Sequence, residues 1–305
     1  MPKMRVSKRK VIKAPVSKVY GVLEDMNYWI EWSPWLIAEP EAVVNIENKN
    51  KYSWEGNRVG AGEMEITSRS ENKAIKYDLT FLKPWKSTAK VKFMLHDLGD
   101  KTEVSWIMES SLPWFMFWMK KSMETFIGGD FDRGLNMLKD YIEDGEVKSK
   151  LNFNGISEFG GCSYFGIRRK TTIDEGPQSM QQDFEELMKY CEDKGLTSSI
   201  PFCIYHKWDI VKGKGEYTAA IVSDNTINDL PSHYVTGEIP ATKMYTLEHV
   251  GAYEHLGNPW TTIHMMIRNK EIKPIKDIHP WETYGNSPEN TDPKDLITRI
   301  HFAVK

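Results

Sequence analysis

Cysteine is scarce: three residues in 305 (Cys162, Cys191 and Cys203), none in a CxxC pair. An odd count without metal-type spacing excludes a disulfide framework, and free thiols in a reducing, cytoplasmic compartment are expected. A large excess of one charge is also missing, since the formal net charge is −3. That argues against direct binding of nucleic acid over the whole surface. Long apolar runs are absent. The most membrane-like stretch, "LPWFMFWM" at 112–119, is far too short to span a bilayer. The basic start, "MPKMRVSKRKVIK", lacks the apolar core of a signal peptide and reads as a lysine-rich edge strand. No HExxH, GxSxG, Walker or kinase signature occurs, and "KGKGE" at 212–216 reads as a tight turn without a dinucleotide fingerprint. "EHVGAYEH" offers His249 and His255, but zinc needs three or four convergent ligands, so neither metal nor cofactor is expected.

Aromatic residues are plentiful: 11 Trp, 13 Tyr and 12 Phe. Either two well-packed cores or ring-lined cavities would use them. The length is that of two domains. In the first half, Val16, Val19, Tyr20 and Leu23 are spaced for one helical face. Period-two runs follow at 62–69, 74–82, 89–98 and 102–110, with Tyr77, Leu79 and Phe81 sharing one face. This pattern predicts an antiparallel sheet with one wet face. From Pro113, Met116, Met119, Met123, Ile127, Phe131, Leu135, Leu138 and Ile142 form one long apolar helical stripe, interrupted by Gly128-Gly129. The implied architecture is α+β, a curved sheet around one long helix.

"IKAPVSKVYGVLEDMNYWIEWSPW", "GNRVGAGEME", "TEVSW" and "DFDRGLNMLKDYI" resemble the SRPBCC superfamily, the START-like or polyketide-cyclase-like helix-grip domains. The resemblance implies a cavity between sheet and helix for a hydrophobic small molecule. Tyr77, Phe81, Phe93 and Trp106 are its candidate lining. Glu31, Glu55 and Glu109 are catalytic candidates by residue type alone and read as solvated carboxylates.

The Gly-, Ser- and Asn-rich stretch 144–161 suggests domains at 1–148 and 159–305 joined by a linker at 149–158. Beyond it a strand–helix–strand–strand order occurs twice, which suggests a pseudo-twofold pair of units flanking a groove. "YTLEHVGAYEHLGNPWTTI", "PWETYGNSPENTDPKDLITRIHFAV" and "IYH" resemble the GyrI-like domain, the AraC-type effector-binding domain. That family places a glutamate of the penultimate strand in the pocket, often against an aromatic cation. By motif position this is Glu282, with Tyr284 on the same strand face. Tyr164, Tyr205, Tyr253 and Trp260 are candidate walls.

A carboxylate among rings must be paired, hydrogen-bonded or protonated. Three readings follow. The first is sensing or sequestering of hydrophobic or cationic aromatic small molecules, without a DNA-binding segment. The second is a detoxifying hydrolase for electrophilic compounds centred on Glu282. The third is a protein-interaction module of gyrase-inhibitor type. Whether the chain is an enzyme, and in what oligomeric state it works, is left open by the residues.

Overall fold

The computed structural model describes residues 3–196, 200–223 and 229–305. By contact the chain divides into two compact units, Met1–Lys150 with Gly251–Asn269, and Leu151–Val250 with Lys270–Lys305.

The first unit holds seven strands: β1 (Lys3–Ile12), β2 (Val43–Asn48), β3 (Lys51–Gly56), β4 (Gly60–Ser70), β5 (Ala74–Lys83), β6 (Ser87–Asp97) and β7 (Thr102–Ser111). They form one antiparallel sheet in the order β1-β7-β6-β5-β4-β3-β2. Helices α1 (Val16–Leu23), α2 (Trp29–Trp32) and α3 (Lys120–Asp144) complete it. This is the expected α+β helix-grip. Strands β2 and β3 escaped the sequence reading because their faces are only half-buried, which weakens the alternation.

Helix α3 begins after a 3-10 turn at Trp114–Met119, later than the stripe suggested. Its buried residues Phe131, Leu135, Leu138 and Ile142 face the sheet. Gly134 is there for contact: a Cβ would stand 2.6 Å from Trp106 Cζ3. Trp106 stacks on Phe131 with centroids 4.1 Å apart and also meets Trp29, Trp32, Trp35 and Phe93. Buried Glu39 accepts backbone N–H groups of Asn57, Arg58 and Val59 at 2.7–3.0 Å and closes the β3–β4 turn.

Residues 251–269 were expected to belong to the second half, but pack in this first unit. They carry α5 (Gly257–Arg268). Buried His255 Nε2 lies 2.7 Å from Asp140 Oδ2 on α3. Asn258 accepts from Arg133 and donates to Ser149, each at 2.9 Å. Polar anchors of this kind leave no trace in hydrophobic periodicity.

The second unit is built on β8 (Ser149–Phe159, from Leu151 on), β9 (Cys162–Thr172), α4 (Gly176–Asp193), β10 (Pro201–Asp209), β11 (Lys214–Val222), β12 (Tyr234–Ile239), β13 (Thr242–Gly251, up to Val250), β14 (Trp281–Tyr284) and β15 (Ile297–Val304). The expected linker at 149–158 is thus strand β8. Its polar, glycine-containing composition suits an edge strand. The sheet order is β12-β9-β11-β10-β14-β15-β13-β8. The two halves, β9-β11-β10 and β14-β15-β13, mirror each other about the β10–β14 seam. The strand preceding each half pairs with the outer strand of the other, β8 on β13 and β12 on β9.

His301, buried on β15, lies between the hydroxyls of Thr246 (2.9 Å) and Thr283 (2.8 Å) and stacks on Trp281. Burial, reinforced by Arg299, pushes its pKa down to about 4. The unfolded chain, near the ordinary 6.5, therefore takes up this proton first. His301 contributes stability that is fully present above about pH 6.5 and is lost as pH falls toward 4. The urea midpoint of unfolding should drop between pH 7 and pH 5, and His301→Gln should flatten that slope. The flattening should be partial, because His206 is also pushed down to about 4, by burial first and then by Arg168 and His279. An unchanged slope in the variant would remove His301 from the account.

Candidate functional site

Glu282 sits at the seam of the second sheet, opposite Cys203 on β10 and Ile300 on β15. Central strands favour apolar residues, yet this carboxylate is 1% exposed. Its Oε2 accepts the hydroxyl of Tyr205 at 2.7 Å and that of Tyr284 at 3.3 Å. Burial, and then the charge of Glu282, raises the pKa of Tyr205 well above the ordinary phenol value. Tyr205 therefore stays protonated and donates. Burial first, then Glu282, also raises the Cys203 pKa. That keeps Cys203 a thiol and argues against a cysteine nucleophile here.

Strand alternation puts Glu282, Cys203, Tyr205, Ala219 and Ile167 on one sheet face. Helix α4 covers this face and contributes Met180, Phe184 and Leu187 to its apolar cluster. Phe184 meets Tyr284 edge-on with centroids 5.7 Å apart. Met180 Sδ lies 4.0 Å from the Tyr205 hydroxyl. A bulge between Tyr205 and Lys207 shifts the β10 register, so Trp208 shares the face of Tyr205 and stands edge-on to it at 5.4 Å. Trp208 fits only because Gly215 and Gly176 lack side chains. A Cβ at either would stand 2.5 or 2.8 Å from its ring.

Buried Asp183, on α4, accepts from Arg169 Nε at 2.8 Å and from the Tyr217 hydroxyl at 2.6 Å. The hydrogen bond from Arg169 outweighs its burial and raises the guanidinium pKa. This pair fixes the helix over the sheet, and breaking it would strand a buried charge.

Tyr205 and Tyr284 thus meet Glu282 as the sequence suggested, whereas Tyr164 does not. It points to the opposite face with Phe202 and Trp281, because residues an odd number of places from the site register emerge on the other side of a strand. Tyr253 and Trp260 lie in the segment that packs in the first unit. Met180, Phe184 and Trp208 were missed by sequence reasoning. The second glycine of "KGKGE", read only as a turn residue, was a usable signal for a large ring nearby.

In the first unit Tyr77, Phe93 and Trp106 are buried in one connected ring cluster, and Phe81 packs on Trp54. The Tyr77 hydroxyl donates to Leu23 O at 2.5 Å. An open cleft of about 370 Å³ is lined by Ser17, Tyr20, Gly21, Glu24, Glu71 and Asn72, and none of these rings borders it. Glu55 pairs with Lys83, Glu109 with Arg5, and Glu31 is exposed, all as solvated carboxylates. Asp140, Glu254 and His255 bring metal-ligating atoms within 4.8 Å of one another. Asp140 already binds His255 and the Lys148 N–H. Burial disfavours its charge, but these partners outweigh that and lower its pKa. The group therefore reads as an anchor for residues 251–269.

Residues 3–143 match the family described as polyketide cyclase/dehydrase and lipid transport. Residues 159–305 match the GyrI-like small molecule binding domain. No curated protein matches the chain. Among similar solved structures is EcmrR in a DNA complex, at 15% identity and TM-score 0.39, covering 61% of this chain and 68% of that one. The Aha1 dimer from Colwellia psychrerythraea is 18% identical, with TM-score 0.35, covering 47% of this chain and 98% of its own. SAV2435 bound to tetraphenylphosphonium is 20% identical, with TM-score 0.35, covering 50% and 94%. No helix among the described residues is long and apolar enough to cross a membrane.

Proposed function

We propose that this chain, which carries a polyketide cyclase/dehydrase and lipid transport domain at residues 3–143 and a GyrI-like small molecule binding domain at 159–305, binds cationic aromatic small molecules at Glu282. Small-molecule binding is the description of the matched GyrI-like family, and the carboxylate of Glu282 favours a cation among such molecules. The observation that carries the proposal is the buried Glu282 carboxylate, held by two tyrosine hydroxyls on a sheet face that Trp208 shares and that Phe184 of α4 covers. An ionised carboxylate in such surroundings attracts a cation with little screening, and ring faces add cation–π attraction. The tyrosines orient the carboxylate, so little order is lost on binding.

Calorimetric titration tests this with two ligands of one shape, a quaternary aromatic phosphonium or ammonium and its neutral carbon analogue. The cation should bind at least about tenfold more tightly. Equal affinities would defeat the reading.

A further inference from the structure

The sharpest mismatch between composition and burial lies outside this site, in the 3-10 turn Trp114–Met119. Its methionines 116 and 119 are half-buried. Its four rings are not: Trp114 is 76% exposed, Phe115 60%, Phe117 66% and Trp118 70%. Isolated exposed apolar residues need no explanation, but four large rings in five residues form a patch. The sheet register extends it. Phe81 faces Ser87 across the β5–β6 hairpin, and Ala89 faces Ser110. The β5–β6 turn therefore lies at the same end of the sheet from which residues 112–119 depart. Leu82, at the end of β5, and Trp85, in the turn, are both exposed.

Charge decides what this patch fits. Neither 82–90 nor 112–123 contains an acidic residue, whereas they contain Lys83, Lys86, Lys90, Lys120 and Lys121. Lys83, Lys90 and Lys120 pair with Glu55, Asp78 and Glu124. Lys86 and Lys121 have no carboxylate partner among the described residues, and Lys3, opposite Ser111 at the same end, has none either. A second copy docking face to face would bring lysine against lysine. An anionic surface with an apolar layer beneath it complements both features. Tryptophan rings prefer that boundary and lysines reach the headgroups. The six-residue turn is too short to do more than lie in the interface.

We propose that this end of the first unit docks on the surface of an anionic lipid bilayer, inserting the rings of residues 114–118 and Trp85 while Lys86 and Lys121 meet lipid phosphates. Co-sedimentation of the full chain with vesicles tests it. One set is phosphatidylcholine alone and the other phosphatidylcholine with phosphatidylglycerol, each at low and high salt. Wild type should bind the anionic vesicles and release partly as salt rises. Lys86→Gln/Lys121→Gln should weaken low-salt binding by about fivefold per lysine. Trp114→Ser/Trp118→Ser should remove most binding at both salts and, with it, most of the fluorescence quenching by bromine-labelled acyl chains. Both pairs are on the surface, and a melting curve matching wild type confirms the fold. Absence of sedimentation with folded wild type at low salt would overturn the proposal. So would a tryptophan-dependent dimer without vesicle binding, which would assign the face to a second copy.

Discussion

Replacing Glu282 by Gln should weaken a cationic aromatic ligand by about tenfold to a hundredfold, the equivalent of about 1.5–3 kcal/mol for a charge-assisted contact. The neutral analogue should lose far less. Gln keeps the side chain's length and still offers an oxygen to the hydroxyls of Tyr205 and Tyr284, so the change removes charge and little else. The effect should be large because the carboxylate is 1% exposed, where solvent screening is weak. Two other behaviours are distinguishable in the same experiment. If Glu282 moves a proton in a reaction on an electrophilic compound, Gln should remove turnover while substrate affinity stays nearly constant. If it only holds the seam between β10 and β14, Gln should lower the melting temperature and weaken both ligands alike. Equal losses for cation and neutral analogue would sink charge selection. Tyr205→Phe is a useful companion, because it removes the 2.7 Å donor without removing charge. It should cost the cation less than Glu282→Gln does.

Trp106→Ala should destabilise the first unit by about 3–5 kcal/mol, the range for deleting a large buried ring. The ring is 1% exposed and stacks on Phe131 among Trp29, Trp32, Trp35 and Phe93. Its packing also fixes the sign of a second change. Gly134→Ala places a methyl group 2.6 Å from Trp106 Cζ3 and 3.0 Å from Pro34 Cγ. Overpacking costs about 1–3 kcal/mol, against about 1 kcal/mol gained in helix propensity. Alone, Gly134→Ala should therefore be destabilising. In the Trp106→Ala background the main clash is gone, so the cost should fall to near zero or change sign. Denaturant titration of both single variants and the double variant measures this coupling. Strict additivity would mean that α3 relaxes away from the sheet and that Gly134 is not required for the close approach.

Much of this protein is set by local sequence. Alternation at Tyr77, Leu79 and Phe81 and the stripe Phe131, Leu135, Leu138 and Ile142 specify a sheet and a long helix, because burying one face demands that period. The doubled strand–helix–strand–strand order and the motif around Glu282 likewise mark the second sheet and its acidic residue from local sequence alone. The tertiary structure alone decided the rest, since these choices depend on contacts between residues far apart in the chain. Polar composition made 149–158 look like a linker, yet the edge of a sheet accepts such residues and made it β8. Residues 251–269 joined the first unit through Asp140–His255 and Arg133–Asn258, bonds between residues over a hundred positions apart. Tyr164 fell on the wrong face for Glu282, and a one-residue bulge brought Trp208 onto the right one. Register is a property of paired strands. A single strand's sequence shows which residues share a face, but not which face of the sheet receives them.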